Sequence, residues 1–105
     1  MSERKRLPDR RASITLTFQV GGLTYTATIS RYSDGGIGEL FLNNHRSNSA
    51  ADTNARDAAI VFSIAVQHGV NPELVRCALC RDSNGKASGP LGTALDIIMQ
   101  EGALP

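Results

Sequence analysis

From Ser13 onward apolar and polar residues alternate, with Ile14, Leu16, Phe18 and Val20 separated by Thr15, Thr17 and Gln19. A period of two is the mark of a half-buried strand. After Gly21-Gly22 the residues Leu23, Tyr25, Ala27 and Ile29 alternate with Thr24, Thr26, Thr28 and Ser30, which predicts a hairpin closed by a two-residue primed turn. In that register Val20 faces Leu23, Phe18 faces Tyr25, Leu16 faces Ala27 and Ile14 faces Ile29, so the apolar side chains share one face. Ser33-Asp34-Gly35-Gly36 is a second turn signal, followed by a third strand from about Ile37 to Asn43. With Asp34-Gly35 at the centre, Ile29 faces Leu40 and Ala27 faces Leu42. That register leaves Tyr32, Ile37 and Phe41 on the outer, threonine-rich face, whereas a three-residue loop would turn Ile37 and Phe41 inward. We take the first register, which makes Tyr32, Ile37 and Phe41 a candidate partner surface.

The period then changes. Asn43 to Asp52 reads as a polar loop leading to a helix with its N-cap at Asp52 or Thr53. Ala55, Ala58, Ala59, Phe62, Ala65 and Val66 form one helical stripe, and Ile60, Val61 and Ile64 cover much of the remainder. Such a helix is expected to be enclosed on more than one side. Gly69 ends it as a left-handed cap, with His68 in the last turn. Asn71-Pro72 opens a short helix to about Cys80 that buries Leu74, Val75, Ala78 and Leu79. After a glycine-serine loop from Arg81 to Gly89, Pro90 starts a last helix with Leu91, Ala94, Leu95 and Ile98 on one stripe, stopped by Gly102. The expected architecture is α+β, a three-stranded antiparallel meander followed by three helices on one face.

Composition narrows the class without identifying an activity. A chain of 105 residues with 41% hydrophobic and 20% charged side chains fits one domain. No apolar run approaches the ~20 residues that span a bilayer, so no membrane association is expected. The charged start, Met1 to Arg11, lacks the apolar stretch of a secretory signal. Two cysteines do not make a disulfide scaffold, and a cytoplasmic location is expected. Arg4, Lys5, Arg6, Arg10 and Arg11 stand against Glu3 and Asp9, so residues 1–11 read as a mobile basic arm and 12–102 as the folded domain.

Four groups of residues invite a chemical reading. Cys77 and Cys80 form C-x-x-C, a weak metal candidate that would need further ligands such as His45 and His68. A redox motif would place its cysteine at a helix N-terminus, not at an end, and free cysteine is commonly a small buried hydrophobe, so core positions are expected. The loop Asp82-Ser83-Asn84-Gly85-Lys86-Ala87-Ser88-Gly89 has the parts of an anion cradle before a helix. It is not a P-loop, because Cys80 and Ala87 stand where Gly and Ser or Thr are required. Arg81, Lys86, Ser88 and Gly89, with His45-Arg46 from the polar loop, remain the candidate nucleotide or anion contacts. The basic arm offers nonspecific phosphate contacts, without interleaved aromatics. No nucleophile, base and oxyanion site come together, so no catalytic residue is assigned.

The order of Arg10-Arg11, the Gly21-Gly22 hairpin, Asp34-Gly35-Gly36-Ile37-Gly38-Glu39-Leu40-Phe41-Leu42, the helix from Ala58 with its exit Val66-Gln67-His68-Gly69-Val70-Asn71-Pro72-Glu73, and Ser88-Gly89 resembles a known family. It looks like the TSCPD domain at the C-terminus of adenosylcobalamin-dependent (class II) ribonucleotide reductases, which also occurs as short stand-alone bacterial proteins. The likeness covers roughly Arg10 to Gln100. Gly38-Glu39-Leu40-Phe41-Leu42 is similar to the family's G-E-I-F-I. Of its F-E-P-S-G loop only Ser88-Gly89 matches, and the redox cysteines of the reductase tail are not matched by Cys77 and Cys80. The resemblance implies that adenosylcobalamin and the radical chemistry belong to a reductase barrel this chain does not contain, so no cofactor is expected here. A noncatalytic accessory domain of nucleotide metabolism is expected, acting through a protein partner or homo-oligomer. The alternative is a small nucleotide- or nucleic-acid-binding domain using residues 81–89 and the arm.

Overall fold

The computed structural model describes residues 3–8 and 12–103, the last three by backbone alone. Among them, strands β1 (Ser13–Val20), β2 (Leu23–Arg31) and β3 (Ile37–Asn44) form an antiparallel sheet in the order β1-β2-β3. Helices α1 (Ala50–Gln67), α2 (Pro72–Ala78) and α3 (Pro90–Ala103) follow, giving the α+β arrangement expected. Gly21 and Gly22 both have positive φ, 58° and 79°, as a primed hairpin turn requires. The β1/β2 register runs from Ile14 opposite Ile29 to Val20 opposite Leu23, and the Phe18 and Tyr25 rings stack at 5.9 Å.

Between β2 and β3, Ile29 lies opposite Leu40 and Ala27 opposite Leu42, again as expected. The register then breaks: Ser30 pairs with Glu39 but Arg31 pairs with Ile37, leaving Gly38 as an extra residue. Such a bulge re-aims the side chains beyond it, and this corrects the outer-face assignment. Ile37 joins the buried apolar cluster, while Phe41, on the other side of the bulge, stays exposed opposite Thr28. Tyr32 is buried too. Gly38 is needed for space, because a Cβ there would run into the side chain of Leu7 and the ring of Tyr32.

The core gathers Tyr25, Ala27, Ile29, Leu40 and Leu42 from the sheet, Ala55, Ala59, Phe62 and Val66 from α1, and Ala94, Leu95 and Ile98 from α3. Three helical expectations need correction. The N-cap of α1 is Ser49, whose Oγ accepts the Asp52 N–H at 3.1 Å, because the Asp52 carboxylate is engaged by the Asn44 N–H at 3.0 Å. Helix α1 is enclosed on one side only, and Ile60, Val61 and Ile64 stay outside. Val75 of α2 and its C-cap Leu79 pack partly against the core, but Leu74 and Ala78 are exposed. A helix of seven residues is too short to bury a broad face, so it touches the core at Val75 and through its C-cap and shows the neighbouring side chains to water.

Candidate functional site

Three polar side chains on the inner side of α1 set its position. Ser63 Oγ accepts the Leu40 N–H at 2.9 Å and donates to the Leu40 carbonyl at 3.0 Å, and Gln67 Nε2 donates to the Gly38 carbonyl at 2.9 Å. Asp52 holds the Asn44 N–H, and all three side chains are buried. The match is geometric: four helical residues advance about 6 Å, close to the roughly 6.6 Å of two strand residues. Helix α1 therefore runs antiparallel to β3 and takes up main-chain groups that an edge strand would otherwise leave bare. Sequence reasoning missed this. The available signal was Ser63 and Gln67, four apart in the otherwise apolar second half of the helix.

The N-terminal segment lies against the same corner. Gln67 accepts the Lys5 N–H on its carbonyl at 2.6 Å and the Arg4 Nε–H on Oε1. Tyr32 donates its hydroxyl to the Lys5 carbonyl at 2.6 Å, and the Lys5 ammonium sits 4.2 Å from the centre of the Tyr32 ring. Lys5 Nζ also reaches Asp34 at 3.3 Å. The Gly36 N–H, and then Lys5, hold the Asp34 carboxyl below its usual range. Residues 3–8 of the expected arm thus dock on the body; residues 1, 2 and 9–11 lie outside the described residues.

The loop from Arg81 to Gly89 fills its own cradle. Asp82 Oδ1 accepts the N–H groups of Asn84 and Lys86 at 2.9 and 3.0 Å, and the Asp82 N–H donates to the Lys86 carbonyl at 2.8 Å. The Ser88 N–H donates to the Cys80 carbonyl. Arg81 grips Asp96 with two bonds of 2.8 Å, and Arg76 adds a third at 3.0 Å while also holding Glu73 at 2.9 Å. The Arg81 hydrogen bonds, then those of Arg76, hold the Asp96 carboxyl below the usual range, and Arg76 does the same for Glu73. Lys86 and Ser88 are exposed, and Gly89 lies at the start of α3.

Cys77 and Cys80 are both exposed, which corrects the core reading. The stripe that buries Val75 and Leu79 leaves them outside. Cys77 donates to Glu73 Oε1 at 3.3 Å, and the carboxylate pushes the Cys77 thiol up. Among the described residues no three His, Cys, Asp or Glu side chains come together as a metal site. His45 lies far along the chain on the β3 exit, its Nε2 2.8 Å from Thr26 Oγ1, and Arg46 is exposed beside it.

What the fold does present is an apolar crest. Phe41, Ile60, Val61 and Ile64 are 48%, 50%, 67% and 55% exposed. Phe41, Ile60 and Ile64 line one shallow hollow beside Arg4 and Glu39. On the other flank of α1, Val61 borders a groove of about 400 Å³ with Phe62, Val75, Leu79 and Leu91. A further cleft of about 390 Å³ lies between α1 and the start of α3, walled by Tyr25, Ala55, Leu79, Cys80 and Leu91. Among the described residues no helix is long and apolar enough to cross a membrane.

Comparison with known proteins relates the chain to one kind of enzyme. It is 36% identical over 70 residues to a vitamin B12-dependent ribonucleotide reductase of Bradyrhizobium diazoefficiens, a match covering 67% of this chain and 6% of the relative. A protein of the same description from Streptomyces coelicolor is 39% identical over 67 residues, covering 64% and 7%. One from Rhodopirellula baltica is 33% identical over 72 residues, covering 69% and 7%. The chain thus spans a small fraction of the length of these relatives and is related to a segment of the reductase. No family model and no solved structure matches it.

Proposed function

We propose that this chain is a TSCPD-type, noncatalytic interaction domain of ribonucleotide-reductase descent, and that it works by docking a protein on the apolar crest of α1. The observation that carries the reading is the crest itself: Phe41 of β3 stands in water beside Ile60 and Ile64 of α1, a helix whose rotation Asp52, Ser63 and Gln67 lock. Apolar side chains held rigidly outward are characteristic of interaction surfaces. Of the three residues expected to form a partner surface on the sheet, Phe41 belongs to it, joined by α1 residues in place of Tyr32 and Ile37. The kinship to a segment of much longer reductases supports a protein partner of that kind. In this reading adenosylcobalamin chemistry stays with the reductase.

The test is a binding titration against the vitamin B12-dependent ribonucleotide reductase of the same organism. Ile60→Asp with Ile64→Asp is expected to weaken binding about a hundredfold, in line with two lost hot-spot side chains. No binding by the wild type, or binding untouched by the double variant, overturns the reading. Nucleotide binding through Arg81, Lys86, Ser88, Gly89, His45 and Arg46 is supported less, because Asp82 and Asp96 already occupy the loop's N–H groups and the Arg81 guanidinium. A titration with labelled nucleotide or oligonucleotide at low salt, where phosphate contacts are strongest, is expected to stay flat.

A further inference from the structure

We infer that β1 is a self-pairing edge, through which two copies of this chain join antiparallel into one six-stranded sheet. The Arg31 N–H donates to the Ala12 carbonyl at 3.0 Å. Alternation along an antiparallel ladder then turns the main-chain groups of Ile14, Leu16, Phe18 and Val20 toward β2, and those of Ser13, Thr15, Thr17 and Gln19 away from it. At the opposite edge of the sheet the outward groups of Leu40 are taken by Ser63. Among the described residues, β1 has no such cover. The strand carries no charged residue and no proline, and its pairing with β2 shows no bulge. Lysine, proline and bulges are the devices by which edges are kept from pairing.

The occupant is a second copy because the strand is complementary to itself. An antiparallel two-fold through its middle sets outward-facing residues opposite one another, Thr15 against Thr17 and Ser13 against Gln19 of the second copy. The same register brings Leu16 against Leu16, and the half-exposed Ile14 against Phe18 of the second copy, on the side that already faces the core. Threonine meets threonine on the outer face, apolar meets apolar on the inner, and there is no charge to repel its own image. None of these residues belongs to the crest of α1, so the two surfaces are independent.

Light scattering and amide exchange on the full chain, with thiols kept reduced, test this. The mass is expected to rise with concentration from 11.2 kDa to twice that value, while exchange at the Thr15 and Thr17 amides slows about tenfold or more. Thr15→Lys with Thr17→Lys sets like charges across the joint and is expected to hold the chain monomeric, whereas Ile60→Asp with Ile64→Asp leaves the dimer intact. A wild type that stays monomeric, including one that pairs only with added extended peptides, overturns the inference. So does a dimer that survives the lysine pair or disappears with the α1 pair. If the lysine variant loses its fold by circular dichroism, the concentration dependence of the wild-type Thr15 and Thr17 amides decides.

Discussion

Asp96 ties together three pieces of chain that share little apolar surface: α2 through Arg76, the 81–89 loop through Arg81, and α3, from which it projects. Its pKa is depressed in the fold, so its contribution is complete above its ordinary 3.8 and is lost as pH falls through the lower, folded value. Asp96→Asn should lower Tm by about 5 °C at neutral pH and flatten the part of the acid unfolding curve that lies below pH 4; a calorimetric pH series checks both. The two cysteines make a separate residue-scale prediction. Both should react with a thiol reagent in the folded protein, and Cys77 should need a higher pH than an ordinary thiol, because Glu73 disfavours its thiolate. Mass spectrometry of partly labelled protein distinguishes them. Composition could not foretell this exposure. Cysteine packs as a hydrophobe when a helix has room to bury it, and α2 is too short to bury more than the line of Val75 and Leu79.

At the scale of elements, the hairpin was legible because two strict alternations flank a pair of glycines, and only one register satisfies both faces. The bulge at Gly38 was not. A single extra residue leaves the apolar pattern intact on either side of it, and only the crowding by Leu7 and Tyr32 explains it. The same limit applied to α1. Periodicity reports how much of a helix is apolar, not how many neighbours a chain of this length can supply, and here the sheet and α3 cover one side. Ser63→Ala would leave the Leu40 N–H and carbonyl buried without partners, at a cost of about 1–3 kcal/mol, and Gln67→Leu should add to it. Denaturant unfolding measures the loss, and amide exchange should rise first at Leu40.

For the whole molecule, the candidate site divides by kind. Anion contacts were inferred from residue types in a loop, and the loop answers them with its own Asp82, a carboxylate that any spacing argument counts as one more polar residue. The apolar crest was foreseen at Phe41 alone, since placing Ile60 and Ile64 beside it depends on the rotation that buried polar groups give α1. That arrangement also governs how the protein can fail. With Ser63, Gln67 and Asp52 closing β3, the inferred pairing through β1 would stop at two chains. A substitution that lets α1 swing away would give every molecule two sticky sides, and orderly pairing would become open-ended growth into fibres.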